Sequence, residues 1–297
     1  MNGRYFLQLI LLSALWGASF LFIRIASPLL GPNVLAGVRI ALATLTLAVI
    51  MRLMRQRWPW RHWRKLVLIG ALSVALPFLL YSWAALQLPA GYAALLNSTA
   101  VVFATLSAAW LKEERLTARK LVGCLFGFAG VALIVRLGPI APTPRVLLAA
   151  ATGVLASASY GISTPLMKRA TTHVPPLAIA AGIHAAAALM LLPGAAWSWP
   201  AARFTPAAIA ALLVMGTVTS GLAYWMHLNI MRHVSAVAAI SPAFMIPVFG
   251  VAWGHLFLGE PLGSGLYAGG ALVLLATALV TGFNPFAKWM RERPTGS

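Results

Sequence analysis

Apolar residues in this chain come in long runs, broken by prolines, glycines and small clusters of charge. A hydrocarbon core asks for about 20 mainly apolar residues per helix. On that measure ten spans are expected, near 5–27, 33–51, 66–87, 91–111, 119–137, 146–167, 176–193, 207–230, 235–258 and 263–283. The seventh is short and Ala-rich, and prolines, Pro193 among them, are taken as breaks. Most connections are short, and they hold nearly all the charge. The fold class expected is an all-α polytopic membrane protein.

Composition agrees. Of 297 residues 61% are hydrophobic and only 9% charged, against about 25% charged in ordinary globular domains. Lys and Arg number 22 and acids 4, for a net charge of +18. The cations are too scattered between apolar runs to form a nucleic-acid groove. Sorted by segment they give a topology instead. With the N-terminus inside, seventeen fall in inside segments, and only Arg136, Arg145 and Arg203 fall outside. Positive residues concentrate on the cytoplasmic side, so both termini are expected there. Trp58, Trp60, Arg61, Trp63 and Arg64 read as interfacial anchors. The first span resembles a signal peptide but is too long for one, and it reads as retained. An integral protein of the plasma (bacterial inner) membrane is expected, with the lipid bilayer as its surroundings.

The chain repeats itself. At an offset of 144, Ser13, Trp16-Gly17, Arg24 and Pro32 meet Ser157, Tyr160-Gly161, Lys168 and Pro176. At an offset of 146, Gly70, Glu114, Leu116 and Gly123 meet Gly216, Glu260, Leu262 and Gly269. Two repeats of five spans follow, over residues 1–140 and 141–297 with the basic tail. Five is odd, so the second copy enters the membrane from the opposite side. Inverted repeats of this kind hold a substrate near the bilayer midplane in secondary transporters.

The residues that carry the repeat also resemble a known family. Leu15-Trp16-Gly17-Ala18-Ser19-Phe20, Leu35-Ala36-Gly37-Val38-Arg39, Ala84-Ala85-Leu86 through Pro89-Ala90, and Glu113-Glu114-Arg115-Leu116 are similar to the ten-span EamA-type members of the drug/metabolite transporter superfamily. In the second half Ala223-Tyr224, Pro247-Val248-Phe249 and Gly259-Glu260-Pro261-Leu262 repeat the pattern. The resemblance implies export of small metabolites, often amino acids, by alternating access. One departure is Val101, which stands where the first half often carries a proline matching Pro247.

Polar residues inside spans usually face a cavity or another helix. Ser157, Tyr160, Thr164 and Lys168 share one face of span six, as do Ser13, Trp16, Phe20 and Arg24 on span one. Thr217, Ser220, Tyr224 and His227 line one face of span eight, whose repeat partner on span three includes Phe78 and Tyr81. The serines and threonines are equally well explained by helix contacts, whereas Tyr81, Tyr160 and Tyr224 favour a wet cavity. Trp16 suits either role, and His227 is balanced between a core histidine and a substrate contact. Asn97, which both donates and accepts, and Ser241 complete the substrate-binding candidates. Ser241-Pro242 and Pro247 mark a kinked span nine whose freed carbonyls a cavity can use. Arg39 sits within span two and matches the arginine of the resembled family. A structural or gating role is favoured there over neutralising a substrate carboxylate. Arg24 and Lys168 are gate candidates that snorkelling to the interface also explains. Gly123-x-x-x-Gly127 and Gly265-x-x-x-Gly269 read as close packing, with an oligomer contact as the other reading.

What is missing narrows the chemistry. There is no Asp, and Glu113, Glu114, Glu260 and Glu292 all fall in turns or the tail. A bare organic cation is thereby disfavoured, and ion coupling is absent or falls to His227. No carboxylate pair, metalloprotease motif or reactive-cysteine context points to an enzyme. The lone Cys124 allows no disulfide, and no metal or cofactor is expected. The expected partner is a small neutral or zwitterionic substrate, apolar and aromatic amino acids foremost. Other metabolites or drugs, or channel-like passage, are the alternatives. No nucleic acid is expected, and a monomer and a homodimer are both compatible with the sequence.

Overall fold

Gly31 bends the chain back on itself early. The helical trace α1 (Gly3–Leu53) has 51 residues, about 77 Å if straight and more than twice a hydrocarbon core of about 30 Å. At Gly31 φ is 72° and ψ is 161°, a conformation that only glycine adopts readily. A Cβ there would meet no atom within 4 Å. The dihedral, not space, therefore asks for glycine, and α1 becomes two antiparallel arms.

The computed structural model describes residues 3–88, 93, 96–135, 143–258 and 265–283, apart from a few side chains within helices. The side chains of Phe20 and Arg24 lie outside the described set, as do Pro89-Ala90, residues 259–262 and the basic tail from residue 284. All regular structure among the described residues is helical. After α1 come α2 (Trp63–Gly70), a π-helical stretch (Ala71–Ala75) and α3 (Leu76–Ala84). Then follow α4 (Ala100–Trp110) and α5 (Ala118–Val135). The second half runs α6 (Pro144–Ala170), α7 (Pro176–Ser198), α8 (Pro206–Val214), a π-helical stretch (Met215–Leu222), α9 (Ala223–His233), α10 (Ala236–Ile240), α11 (Pro242–Leu258) and α12 (Gly265–Thr281). The helix starts are written in the sequence. Thr143-Pro144 and Thr205-Pro206 each place a hydroxyl that accepts a first-turn N–H before a proline at the first helical position.

Seven stretches among the described residues are long and apolar enough to cross a membrane. Leu96–Trp110 and Tyr267–Thr281 are shorter apolar helices at the expected fourth and tenth spans. The seventh span, expected to stop at residue 193, continues to Ser198 with Pro193 inside it. A proline removes one helical bond, whereas ending the helix in an apolar stretch exposes several backbone groups. Large apolar side chains face outward, with Trp110 80% and Trp197 89% exposed. Soluble monomers rarely show an apolar surface on that scale; the chain is an integral membrane protein.

The two halves pack by the same contacts. A Cβ built on Gly17 of α1 would lie 2.7 Å from Phe249 Cβ of α11. One on Gly161 of α6 would collide with Phe103 Cβ and lie 2.6 Å from Ala104 N of α4. Gly17 and Gly161 are repeat partners, and so are Phe103 and Phe249, 146 residues apart. Likewise a Cβ on Gly70 would sit 2.6 Å from Ile183 O, and one on Gly216 3.1 Å from Arg39 O. On α5 and α12 the repeat meets itself: a Cβ on Gly123 approaches Ala276 O at 3.3 Å, and one on Gly130 approaches Gly269 O at 2.7 Å. Gly127, expected at that same contact, instead makes room for the Phe244 ring.

These contacts predict which glycines tolerate a side chain. Gly161→Val should destabilise the purified protein by about 1–3 kcal/mol, the usual range for an overpacked interior. Gly250→Ala, where an added Cβ meets nothing within 4 Å, should leave it unchanged. Thermal unfolding in detergent compares the two directly, and equal melting temperatures would contradict the packing described.

Candidate functional site

Each half contains one π-helical stretch, Ala71–Ala75 and Met215–Leu222, at related positions of the repeat. Wide turns shift the backbone bonding pattern and leave carbonyls open to outside donors, and they are frequent at functional sites. Three side chains from neighbouring helices use them. Trp16 Nε1 donates to Thr219 O at 3.0 Å, Tyr224 Oη to Ser73 O at 3.2 Å, and Ser159 Oγ to Leu72 O at 2.7 Å. Two aromatic site candidates are thus each hydrogen-bonded to a backbone carbonyl of these stretches.

Between the halves lies a cavity with an aromatic wall formed by Trp16, Phe78, Tyr81, Tyr160, Tyr224 and His227. Its volume, about 120 Å³ counted over positions a water centre can occupy, is many times the ~10–15 Å³ that one buried water needs. The rings brace one another: Tyr81 and Tyr160 stack at 6.3 Å, and Trp16 and His227 lie 5.2 Å apart. Ser157 Oγ donates to Leu96 O at 2.7 Å, so in the 2.6 Å contact between Tyr81 Oη and Ser157 Oγ the phenol is the donor. Ile240, Ala243 and Ile246 close another side, and Asn97 and Ser82 add amide and hydroxyl groups.

Arg39 is the cation of this wall and is 5% exposed. Its Nε donates to Ser220 Oγ at 2.7 Å, and Nη2 lies 3.4 Å from both Ser19 Oγ and Thr219 Oγ1. Ser19 Oγ donates onward to Thr219 Oγ1 at 2.8 Å. The guanidinium carbon sits 4.4 Å from the Phe78 ring centroid, within cation–π range. One side chain therefore ties both arms of α1 to α3 and to the second half.

Of the residues singled out from sequence, Trp16, Tyr81, Asn97, Tyr160, Tyr224, His227 and Arg39 share this cavity. Ser241 does not. It is fully buried, and its hydroxyl donates to Ala238 O at 2.8 Å across the break between α10 and α11. Pro242 opens α11 and Pro247 lies inside it, while their neighbours Ile240, Ala243 and Ile246 supply the wall. Lys168 is remote: its Nζ donates to Met231 O at 2.6 Å and Arg232 O at 3.2 Å, where a cation suits the carbonyl end of α9. Ser19, Ser82, Met167 and the three apolar residues of α10 and α11 were not singled out. Ser19 follows Trp16 by three positions and so lies on the same helical face, but small polar residues on such a face are also ordinary packing.

Near the other charged groups, acids are already engaged. Glu114 Oε2 accepts from Lys120 Nζ at 2.6 Å and Oε1 from Val237 N at 3.0 Å, and Glu113 pairs with Arg169. Three buried polar atoms close to Tyr224 have no hydrogen-bond partner: Ser73 Oγ, His184 Nε2 and His227 Nδ1. The rings of His184 and His227 lie 4.7 and 5.8 Å from that of Tyr224. No group of three or more His, Cys or acidic residues among the described residues is placed to hold a metal.

Comparison with known proteins places the chain among transporters. The model of the EamA-like transporter family matches twice, over residues 4–136 and 147–282. An uncharacterized transporter of Bacillus subtilis, YvbV, is 27% identical over 92% of this chain and 90% of its own length. An uncharacterized protein of Pseudomonas aeruginosa is 31% identical over 82% of this chain and 81% of its own. A probable terminal-alkyne amino-acid exporter of Streptantibioticus cattleyicolor is 27% identical over 92% and 91% respectively. A solved crystal structure superposes with a TM-score of 0.73 at 17% identity, covering 91% of this chain and 98% of the other, a likeness of fold.

The cavity predicts a labelling pattern. With Cys124→Ser removing the one native thiol, Ser82→Cys should react with a small methanethiosulfonate in membranes, and Ser241→Cys should not. Equal labelling of the two positions would place the cavity elsewhere. Separately, Trp16→Phe strands Thr219 O and should cost about 1–3 kcal/mol in detergent unfolding.

Proposed function

The chain belongs to the EamA-like transporter family, and from that premise we propose that it is a secondary transporter exporting small zwitterionic or neutral metabolites, foremost amino acids with aromatic or apolar side chains, by alternating access. The observation that carries this reading is the cavity between the two repeats, with its aromatic wall and no carboxylate among the described residues of its lining. Aromatic faces stack on flat or apolar cargo and bury it. A bare cation finds no acid to pair with there. The name of the Streptantibioticus relative, a probable amino-acid exporter, points the same way.

Trp16, Tyr81, Asn97, Tyr160, Tyr224 and His227 are the proposed cargo contacts. The break at Ser241-Pro242, together with Pro247, gives α10 and α11 two segments that move against each other, so Ser241 acts at the hinge rather than on cargo. Arg39 keeps the arms of α1 in register with the second half, and Arg24 and Lys168 act at the two ends of the path. The reading includes ten spans with both termini in the cytoplasm, in the plasma (bacterial inner) membrane. Glu113, Glu114, Lys120, Arg169, Lys168 and the end of α9 gather at one end of the bundle through the contacts above, which supports putting these loops on one side.

Proteoliposomes holding the purified protein should exchange internal phenylalanine, tryptophan, methionine or leucine for labelled external substrate, saturably. Tyr224→Ala should lower the rate at least about tenfold, since truncating a buried contact aromatic costs more than 1.4 kcal/mol. Absence of exchange for every amino acid tried would sink the substrate assignment. A C-terminal reporter active only in the periplasm should be silent; activity would reverse the orientation.

A further inference from the structure

We propose that Arg39 is a carboxylate-binding site, so that the cargo of this cavity carries a carboxylate on an apolar body rather than being uncharged or cationic. The inference rests on the reading of the cavity as the place where cargo is held, and it is independent of the direction of transport.

The electrostatics carry it. Arg39 lies in the middle of a helical arm, is 5% exposed and faces the cavity. A guanidinium is always charged in proteins, and an unmatched buried charge costs several kcal/mol. Its protein partners are hydroxyls of Ser19, Thr219 and Ser220 and the face of Phe78. These solvate the charge without cancelling it. The two described carboxylates, Glu113 and Glu114, are engaged with Arg169, Lys120 and the N–H of Val237 at the end of the bundle.

Geometry adds a direction. The hydroxyl contacts occupy Nε and Nη2, with Ser220 at 2.7 Å and the other two at 3.4 Å, and Nη1 takes no part in them. Phe78 covers one face of the guanidinium plane at 4.4 Å, so an approaching anion meets the edge, where guanidinium binds carboxylate best. The long Nη2 contacts are the ones a charge-assisted bond at ~2.7–2.9 Å would displace at least cost. Tyr160 and Trp16 line the same cavity and would receive the apolar body.

A ligand series on the unaltered protein tests this. Calorimetry in detergent compares phenylalanine and 3-phenylpropionate with phenylalaninamide and phenethylamine, which lack the carboxylate. Both carboxylates should bind at least about tenfold more tightly than the amide and the amine, the lower end of a hydrogen bond to a charged group. Arg39→Gln should level the series and Arg39→Lys should keep part of the preference. Carboxylate-selective binding without exchange in proteoliposomes would support the site while removing the transport reading. Exchange in which the amide competes as well as phenylalanine would overturn the site and leave that reading standing. Failure of both carboxylates to bind overturns it outright, and no variant has to fold for that result.

Discussion

Inside a bilayer a carbonyl released from its helix has no water to turn to and must find a donor within the protein. The two π-helical stretches release such carbonyls at matching points of the repeat, and the site is arranged around meeting that need. Thr219 O takes the Trp16 indole, Ser73 O the Tyr224 phenol, and Leu72 O the Ser159 hydroxyl. The donors thereby fix two of the cavity's aromatic rings at the boundary between the halves. Gly70, just before one wide turn, and Gly216, near the start of the other, let these segments approach Ile183 and Arg39 backbone closely. The same contacts that satisfy the backbone also shape the wall.

A cavity built this way has aromatic walls, and its electrostatics are set by what the chain omits. With no Asp in the chain and the two described carboxylates, Glu113 and Glu114, in the turn after α4, Arg39 is left with hydroxyls and a ring. Lys168 and Arg169, by contrast, satisfy carbonyls and a carboxylate at the end of the bundle. Cations near the interface reach water or helix ends cheaply, whereas one in the middle of an arm is bound to whatever the cavity contains. Arg39 thus joins packing and chemistry in one side chain.

Much of this was legible beforehand because it follows from spacing. Apolar runs gave the helices, the repeat offsets gave the paired contacts, and the stripes Trp16, Tyr81, Tyr160, Tyr224 and His227 converge on one cavity as helical periodicity requires. Pro193 misled because a membrane helix tolerates a proline more readily than an end. Ser241 misled because a serine before a proline serves a helix break as well as a ligand, and its hydroxyl is used by Ala238 O. Gly127 matched a contact motif, yet its room goes to Phe244. The first π-helical stretch carries one mark, Pro77, which has no N–H to give the Ser73 carbonyl four residues back; Met215–Leu222 contains no proline, so a sequence read one helix at a time gives no comparable sign of it.

The repeat also explains why the cavity is lopsided. Ser19 and Thr219 have Ser163 and Ser73 as their repeat partners, at offsets of 144 and 146, but Arg39 has Ile183. Around the arginine the hydroxyls turn inward, with Ser19 donating to Thr219 and both lying within 3.4 Å of the guanidinium. Without a charge to gather them, their counterparts separate. Ser163 donates to Tyr160 O in its own helix at 2.8 Å, and Ser73 Oγ is buried with no partner. Packing has stayed symmetric, since Gly70 meets Ile183 O just as Gly216 meets Arg39 O. Against that symmetric packing, the charge of Arg39 in one sector of the described lining means that a ligand with one anionic end has one orientation in which that end is neutralised.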